Sequence, residues 1–175
     1  MQMQTPIRLM STQVIFNPNK GYQCLVAARK LDPGHRFWHF TEYDLQDFPS
    51  MYTIQISENK HLNDEGRIRY MNHSCNPNAI IDAELMCAIV IRPIEKGEEI
   101  TFFYPSTEWD MSVPFSCKCE YENCVKVIQG AKYLTEEEFN QYFMNKHIMR
   151  LRANQTEPQM EEFAKLPNND DRFMI

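Results

Sequence analysis

The chain reads Asn72-His73-Ser74-Cys75 and, further along, Cys117-Lys118-Cys119-Glu120-Tyr121-Glu122-Asn123-Cys124. These two runs contain four cysteines at a close spacing that is typical of metal ligands rather than of a disulfide framework. Four thiolates close the tetrahedral shell of a structural zinc ion and leave no position for water or a substrate. We therefore predict a zinc site that holds the fold together, with the ligands Cys75, Cys117, Cys119 and Cys124.

Two further runs accompany the cysteines. One is Arg69-Tyr70-Met71-Asn72-His73-Ser74-Cys75-Asn76-Pro77-Asn78, and the other is Gly97-Glu98-Glu99-Ile100-Thr101-Phe102-Phe103-Tyr104. The three motifs, in this order, resemble those of the SET-domain lysine methyltransferases with a post-SET zinc-binding element. That family reads Arg-Phe-Ile-Asn-His-Ser-Cys-x-Pro-Asn, then Gly-Glu-Glu-Leu-Thr-Phe-Asp-Tyr, then Cys-x-Cys-x4-Cys. The resemblance covers the stretch from Val14 to Tyr133, and three linked motifs are much harder to obtain by accident than one.

The composition limits the partners. The chain has 175 residues, enough for one domain with its own apolar core. Its 18 basic and 24 acidic residues give a net charge of -6, which disfavours tight binding to a nucleic-acid backbone. This charge suits a basic partner such as a lysine-rich peptide or a polyamine, and simple solubility explains it equally well.

The sequence carries no sign of export or of membrane insertion. The segment from Met1 to Ser11 does not read as a signal peptide, and no apolar run reaches membrane-spanning length. We therefore expect an intracellular protein without membrane contact, in the cytoplasm or the nucleus. The remaining cysteines, Cys24 and Cys87, are expected to be small buried apolar groups.

Short β-type runs separated by turn residues make up the chain as far as Phe103. Turns are marked by Asp32-Pro33-Gly34 and Glu95-Lys96-Gly97. The pattern predicts a mostly β fold of several small sheets, and the resemblance adds a SET-domain fold with a pseudoknot-like crossing of the segments around Asn72 and Tyr104. The predicted strands are Val14–Phe16, Cys24–Ala28, Arg36–Phe40, Tyr52–Ile56, Ala79–Asp82, Cys87–Arg92 and Ile100–Phe103.

One C-terminal helix is predicted over residues 134–152. Thr135 and Glu138 form a capping-box pair at its start, and Phe139, Tyr142 and Phe143 share one face at helical spacing. This face is expected to dock on the body of the protein. The chain then divides into an N-terminal segment, a SET catalytic domain, a post-SET zinc element, the helix and a polar, flexible tail, with the bounds 1–12, 13–108, 109–133, 134–152 and 153–175.

The resemblance implies an S-adenosylmethionine-dependent N-methyltransferase that acts on a lysine side chain of a protein such as a histone. Methyl transfer to an amine is an in-line displacement, so donor and neutral nitrogen have to be aligned across a narrow passage. A lysine amine has a pKa of about 10.4 in water, and burial in an apolar channel favours its neutral form. Tyr104 matches the tyrosine that ends the second family motif and is the predicted catalytic residue. Tyr52 fits a second tyrosine that lines the lysine channel.

The resemblance also implies the cofactor site. The family's N-terminal loop carries Gly-x-Gly, and only its Gly21 is present in this chain. The Asn72-His73 pair matches the residues that hold S-adenosylmethionine in the family, and the segment that begins at Arg69 belongs to the crossing. The predicted cofactor-binding residues are Asn72, His73, Gly21, Arg69 and Phe115.

Two aromatic residues are assigned to the substrate channel by the same resemblance. Phe102 matches the position where the choice of phenylalanine or tyrosine influences how many methyl groups are added, and phenylalanine leaves di- or trimethylation open. Trp109, like Phe115, lies just before Cys117, where aromatic walls cover cofactor and substrate. A cation between aromatic faces gains roughly 0.5 to 2 kcal/mol, and plain packing is the alternative for both side chains.

Three other functions are compatible with parts of the sequence. A small amine such as a polyamine could enter the same channel as a lysine. A non-catalytic peptide-binding module would agree with the altered Gly-x-Gly loop. A zinc-ribbon-like structural domain would explain the cysteines, although it leaves the run from Gly97 to Tyr104 without a role.

Overall fold

The computed structural model describes residues 10–155. The predicted N-terminal segment up to residue 9 and the predicted tail from residue 156 lie outside the described residues. Within 10–155 the protein is mostly β, as predicted, with twelve short strands. Numbered in chain order, the strands are β1 Thr12–Asn17, β2 Tyr22–Ala27, β3 Arg36–His39, β4 Asp44–Gln46, β5 Thr53–Ser57, β6 Lys60–Asn63, β7 Asn72–His73, β8 Ala79–Asp82, β9 Cys87–Val90, β10 Thr101–Phe102, β11 Phe115–Ser116 and β12 Val127–Ile128.

The strands form five small sheets among the described residues. Two have three strands, in the orders β3-β9-β8 and β4-β6-β5, and three are pairs, β1-β2, β7-β10 and β11-β12. All pairings are antiparallel except β7 with β10. Single turns of 3₁₀-helix lie at Arg67–Tyr70, Tyr104–Ser106 and Ala131–Tyr133, and the α-helices are α1 Glu136–Asn140 and α2 Lys146–Ala153.

The β1-β2 hairpin positions the predicted Gly21 loop. The Asn17 side-chain oxygen accepts hydrogen bonds from the backbone N–H groups of Asn19 and Lys20, at 3.1 and 3.3 Å, which closes the turn. Gly21 follows with a φ of 77°, a conformation that glycine adopts without steric cost. The turn therefore requires this glycine for its backbone shape.

The parallel pairing of β7 with β10 forms the predicted crossing. Asn72 pairs with Thr101 and His73 with Phe102, so the two family motifs run side by side. The buried Asn78 side chain locks them together, because its oxygen accepts the Thr101 N–H at 2.8 Å and its amide donates to the Glu99 carbonyl at 2.8 Å. Two stretches far apart in sequence are thereby fixed in one register.

Two apolar cores stabilise the structure. The larger one lies among the sheets and contains the fully buried side chains of Leu25, Ile81 and Ile100. The smaller one contains Cys75, Phe103, Ile128, Leu134 and Ile148, and is built mainly from the chain after β10. Tyr104 packs against both cores.

The single helix predicted over 134–152 is wrong, because the structure has two short helices there. α1 begins at the predicted capping box, with Glu138 N–H donating to the Thr135 hydroxyl and Thr135 N–H donating to the Glu138 carboxylate. The chain leaves the helix after Asn140, since Asn145 bonds to distant backbone groups instead. Of the predicted aromatic face, Phe139 and Tyr142 pack against the smaller core, whereas Phe143 is 41% exposed.

Candidate active site and zinc centre

The four predicted zinc ligands come together. The sulfur atoms of Cys75, Cys117, Cys119 and Cys124 all lie within 4.8 Å of one another. A tetrahedral zinc ion with Zn–S distances of about 2.3 Å needs sulfur atoms about 3.8 Å apart, and Cys75 Sγ lies 3.9 Å from Cys117 Sγ. The donor set and its spacing fit zinc.

The protonation of the cluster also suits a metal. The Cys75–Cys117 hydrogen bond raises the pKa of the Cys75 thiol, and burial raises it further. The same hydrogen bond lowers the pKa of Cys117 to about 3. One of the two sulfur atoms is therefore already a thiolate at neutral pH, and thiolates are the form that binds metal.

The protein around the cluster fixes the backbone of Cys75. Its carbonyl accepts hydrogen bonds from the Asn123 side-chain amide at 2.6 Å and from the Tyr142 hydroxyl at 3.0 Å. The Tyr142 ring stacks on Phe103, with a centroid distance of 3.6 Å and an interplanar angle of 8°. The chain before β12 and the chain after α1 therefore both hold the loop that supplies the first ligand.

Tyr104 lies at the centre of an aromatic cluster. Its ring centroid is 4.8 Å from that of Phe102, 5.4 Å from His73 and 6.0 Å from Phe115. Its hydroxyl donates to the Met71 carbonyl at 3.2 Å. Burial raises the pKa of Tyr104, and the acidic groups of Tyr22, Glu99 and Glu108 raise it further. The phenol is therefore protonated at neutral pH and can donate a hydrogen bond.

His73 connects Tyr104 to the cysteines. Its Nδ1 accepts the Tyr104 backbone N–H at 3.3 Å, and its Nε2 lies 3.3 Å from Cys75 Sγ. Burial lowers the pKa of His73, so the ring is neutral at neutral pH. The imidazole thus fixes the distance between the tyrosine and the metal loop.

Asn72 lies against the Gly21 loop. Its side-chain amide donates to the Gln23 carbonyl at 3.3 Å and to the Glu99 carboxylate at 2.8 Å. Lys20 completes the contact through a 2.6 Å ion pair with the same Glu99 carboxylate. A Cβ built on Gly21 would meet no atom within 4 Å, so the loop leaves open space on that face. Asn72, Gly21 and the backbone around them therefore share one surface.

The other predicted site residues, Tyr52, Arg69 and Trp109, lie outside the aromatic cluster around Tyr104. Tyr52 lies in the turn before β5, 41% exposed, and its ring is covered by the Arg69 guanidinium at 4.7 Å. Among the described residues, no ring contact joins Tyr52 to Tyr104. Trp109 is partly buried against the smaller core, and its backbone N–H donates to the Gln55 side chain at 2.8 Å. The roles of these three side chains remain predictions.

Two acidic residues of the site were missed by the sequence reasoning. Glu99 joins the Gly21 loop to Asn72. Its position in the second motif, three residues before Phe102, was the sequence signal that could have marked it as a site residue. Glu108 is buried four residues after Tyr104, and nothing in its neighbourhood marked it. Burial raises the pKa of Glu108 to about 7, although hydrogen bonds from Gln55 and Thr107 oppose the shift.

Comparison with known proteins identifies the family. The sequence profile described as "SET domain" matches residues 7–105, more than half of the chain. The chain belongs to the SET domain family. No helix among residues 10–155 of this SET protein is both long and apolar enough to cross a membrane.

The SET relatives include histone methyltransferases. The chain is 42% identical over 86 residues to "Methyltransferase flvH" of Aspergillus flavus. The aligned stretch covers 48% of this chain and 48% of that protein. It is 36% identical over 99 residues to the H3 lysine-36-specific histone-lysine N-methyltransferase of Candida albicans, 51% of this chain and 12% of the relative. The matches thus span about half of the first relative and much less of the second.

A solved structure shares the fold. The crystal structure of KRYPTONITE in complex with mCHG DNA and SAH matches with a TM-score of 0.52 and 21% sequence identity. The match covers 68% of this chain and 29% of that one. At this identity the likeness concerns the SET fold alone.

Proposed function

We propose that the protein is an S-adenosylmethionine-dependent N-methyltransferase that methylates lysine side chains of a protein, with histone H3 as the leading candidate. The observation that carries the proposal is the position of Tyr104. In a SET-family chain, its protonated hydroxyl lies inside an aromatic cluster, beside the surface formed by Asn72 and the Gly21 loop. A fixed hydroxyl whose proton is engaged by the Met71 carbonyl offers its oxygen to an N–H of an amine and so suits the orientation of that amine.

The cofactor would be held on the Asn72 surface. The Asn72 amide, the backbone of Gly21 to Gln23 and the His73 backbone offer donors and acceptors there, and Phe115 offers an apolar wall. The open space above Gly21 supports this assignment. S-adenosylmethionine, when bound, supplies a methyl group on a sulfonium centre.

The protein's own residues would then orient the amine and exclude water. The Tyr104 hydroxyl donates its proton to the Met71 carbonyl, so its oxygen would accept an N–H of the amine and leave the nitrogen lone pair free to attack. Phe102 is 6% exposed and carries no hydroxyl, so it holds no ordered water next to Tyr104. The space left by the missing water would accept an amine that already carries methyl groups, which supports di- or trimethylation.

Zinc would act on structure alone in this proposal. Four thiolates occupy all positions of a tetrahedral ion, so none remains for a substrate. The ion would connect the loop of Asn72 and His73, which contributes Cys75, to the loop of Cys117 to Cys124. Occupation of the site by zinc therefore stabilises the walls of the active site.

The acceptor is the finer part of the proposal. The H3 lysine-36-specific relatives from Candida albicans and Saccharomyces cerevisiae, 36% and 32% identical, support a histone lysine and a nuclear location. The net charge of -6 supports a cationic acceptor in general, and a polyamine would share that chemistry. A histone lysine is favoured, and a polyamine is the alternative that the experiment has to separate.

The test is methyl transfer with defined acceptors. Zinc-loaded full-length protein is incubated with methyl-labelled S-adenosylmethionine and, separately, with histone H3, with H3 in nucleosomes and with spermidine, and the products are analysed by mass spectrometry. We expect label on an H3 lysine with the wild type and none with Tyr104→Phe. Label on spermidine alone would mean that the acceptor is a polyamine and not a histone lysine. If the protein is folded and zinc-loaded but labels no acceptor, and if S-adenosylhomocysteine does not change its Tm, a non-catalytic module is favoured.

A further inference from the structure

Glu99 joins two parts of the proposed cofactor surface through one side chain. Its Oε1 accepts a hydrogen bond from the Asn72 side-chain amide at 2.8 Å, and its Oε2 lies 2.6 Å from the Lys20 ammonium. The Glu99 side chain is 16% exposed, whereas that of Lys20 is 46% exposed. The carboxylate is therefore largely enclosed between a residue of the first SET motif and a residue of the β1-β2 turn.

The backbone around Glu99 is fixed from two sides. The N–H of the next residue, Ile100, donates to the Leu25 carbonyl of β2 at 2.8 Å. The Glu99 carbonyl accepts a hydrogen bond from the buried Asn78 side-chain amide at 2.8 Å. The position from which the Glu99 side chain extends is thus set by the contacts that hold the second motif in place.

The neighbouring Glu98 has different partners. Its Oε1 lies 3.3 Å from the Asn78 amide and 3.5 Å from the Arg92 guanidinium, and its Oε2 accepts the Glu95 backbone N–H at 3.0 Å. Within residues 10–155, no hydrogen bond or ion pair joins Glu98 to Asn72. Of the two glutamates in this motif, Glu99 is the one that contacts the proposed cofactor surface.

The partners of the Asn72 carboxamide determine which of its ends faces them. The Gln23 carbonyl and the Glu99 carboxylate are both acceptors, and they lie 3.3 and 2.8 Å from Asn72 Nδ2. A carboxamide has two N–H donors on its nitrogen and no donor on its oxygen. If the carboxamide were turned over, Oδ1 would face two acceptors with no hydrogen between them. The nitrogen is therefore the end that faces Gln23 and Glu99.

The oxygen of the Asn72 carboxamide is left open by this arrangement. Oδ1 has no hydrogen-bond partner in the part of the chain that the structure describes, and it is not one of the sealed polar atoms that lack a partner. The amide nitrogen already donates to two acceptors. The Asn72 side chain consequently offers a ligand a hydrogen-bond acceptor and not a donor.

The methionine end of S-adenosylmethionine carries two charged groups with opposite hydrogen-bonding character. Its α-ammonium group has only donors, and its α-carboxylate has only acceptors. An acceptor whose direction is fixed binds the ammonium group and repels the carboxylate. The orientation of one carboxamide would therefore decide which of the two groups it binds.

We propose that Glu99 is a positioning residue of the cofactor site, which fixes the Asn72 carboxamide so that its Oδ1 accepts a hydrogen bond from the α-ammonium group of the cofactor. This inference rests on the proposed methyltransferase function and adds to it the residue that orients Asn72. Glu99 acts through Asn72 and needs no contact of its own with the cofactor. Its ion pair with Lys20 holds the carboxylate in the direction that Asn72 requires.

Substitutions at Glu99 and Lys20 separate this role from the charge of Glu99. In Glu99→Gln, one side-chain oxygen has to serve the two donors Lys20 and Asn72. The charged donor forms the stronger hydrogen bond, so the oxygen should turn to Lys20 and the new amide nitrogen to Asn72. That contact favours the reversed carboxamide. In the double variant Lys20→Met with Glu99→Gln the competing donor is absent, and the glutamine oxygen can return to Asn72.

The first test compares two ligands by titration calorimetry on the full-length zinc-loaded protein. The ligands are S-adenosylhomocysteine and its analogue without the α-amino group. We expect the wild type to bind the analogue about 30-fold more weakly, the usual effect of losing a hydrogen bond to a charged group. Glu99→Gln should reduce this ratio to less than about 5-fold, and the double variant should restore it to at least about 15-fold. Lys20→Met alone should keep the wild-type ratio, as should the control Glu95→Gln, which alters an exposed ion pair with Lys30.

Two outcomes of this test would overturn the proposal. One is a wild-type ratio in Glu99→Gln, even if both ligands bind more weakly, because a residue with a merely structural role lowers both affinities equally. The other is a reduced ratio that the double variant does not restore. That result would mean that the charge of Glu99 attracts the ammonium group directly, without Asn72.

The second test observes the Asn72 carboxamide without any cofactor. Exchange of side-chain amide hydrogens with water is measured by NMR on the ¹⁵N-labelled, zinc-loaded full chain. In the wild type we expect the Asn72 amide to exchange at least about tenfold more slowly than that of the exposed Asn19, and Glu99→Gln should remove most of this difference. Equal exchange at Asn72 and Asn19 in the wild type would contradict a fixed carboxamide.

The two tests separate this inference from the proposed function. If the Asn72 amide is protected but the wild type does not bind S-adenosylhomocysteine, the contact with Glu99 is retained and the methyltransferase assignment is lost together with the role in cofactor binding. If the wild type methylates lysine and the ratio does not respond to Glu99→Gln, the enzyme is retained and the role of Glu99 is lost.

Discussion

The part of the molecule before Phe103 and the part after it are stabilised by different means. The first part buries Leu25, Ile81 and Ile100 in an apolar core between sheets. The second part has a smaller apolar core, and its loops depend on the cysteine cluster and on the buried polar side chain of Asn145. We therefore expect apolar burial to suffice for the first part, and the second part to depend also on a metal ion at the cysteine cluster and on specific hydrogen bonds.

The proposed active site lies at the boundary between these two parts. Tyr104 packs against both cores, and Cys75 links the first part to the metal ligands of the second. Glu108 lies in the second part and accepts a hydrogen bond from β5 in the first. Experiments that disturb one part and monitor the other therefore test the comparison.

Removal of the zinc ion should have the largest effect. A structural zinc site contributes on the order of 10 kcal/mol in small domains. We expect Cys117→Ser, or chelation of the wild type, to abolish hydrogen-exchange protection in β11 and β12 while β2, β8 and β9 keep theirs. Cys24→Ala, which removes a buried thiol outside the cluster, should retain one zinc per chain. Equal loss of protection in both parts would show that they are not separate.

Loss of the Tyr104 hydroxyl should affect chemistry and leave both parts folded. Tyr104→Phe keeps the ring contacts with Phe102 and His73 and removes the hydrogen-bond donor. We expect methyl transfer to fall by about 10²- to 10³-fold, which is the usual effect of losing one oriented hydrogen-bonding group. Zinc content and Tm should stay near the wild-type values, and the exposed Tyr43→Phe serves as the control. A Tm decrease as large as that of the zinc-free protein would mean that the hydroxyl is structural.

The pH dependence of stability tests the contact between the two parts. Burial raises the pKa of Glu108 from 4.5 to about 7, so the folded protein holds this proton at a pH where the unfolded chain has lost it. The contribution of Glu108 to the free energy of unfolding should therefore decrease as the pH rises from about 4.5 to 7, by about 3 kcal/mol in total, and stay constant above that range. Urea unfolding of the wild type and Glu108→Gln at pH 5 and 8 measures the difference, with Glu84→Gln as the control. If the difference in the free energy of unfolding between the wild type and Glu108→Gln does not depend on pH, Glu108 is in contact with solvent.

Asn145 should have a smaller effect, confined to stability. Its buried side chain donates to the Ile81 and Ser106 carbonyls at 2.9 and 2.8 Å and accepts the Ala83 N–H at 2.8 Å. Asn145→Ala removes these three side-chain bonds, although the Ser106 carbonyl keeps the Asn145 backbone N–H at 3.1 Å, and should lower the free energy of unfolding by about 2 kcal/mol. Asn154→Ala, at the exposed end of α2, should change it by less than about 0.5 kcal/mol. Equal effects in the two variants would mean that Asn145 does not join the two parts.

The zinc centre and most of the larger core were predictable from the sequence. Cysteine spacing is a local signal that survives without knowledge of the fold, and the sulfur atoms of Cys75, Cys117, Cys119 and Cys124 are indeed close together. The strands around Cys24, Ala79 and Cys87 were also predicted, because each has a run of apolar or β-branched residues between turns.

Other elements depend on contacts that sequence patterns do not contain. β4 and β6 were missed because strands such as Lys60–Asn63 are polar and become extended by pairing with their neighbours. The helical spacing of Phe139, Tyr142 and Phe143 predicted one helix. Instead, the stack of Tyr142 on Phe103 and the backbone bonds of Asn145 interrupt it. The burial of Glu108 follows from the packing of β5 against the Tyr104 turn, which no local pattern indicates.

Binding of S-adenosylhomocysteine with and without zinc tests the central claim most directly. The claim is that the metal, through Cys75, fixes the Asn72-His73 loop against the Tyr104 turn. Titration calorimetry of the zinc-loaded protein should show one bound S-adenosylhomocysteine per chain, and the chelated protein or Cys117→Ser should lose at least about 100-fold in affinity. The same affinity with and without zinc, or no binding to the zinc-loaded protein, would contradict the account.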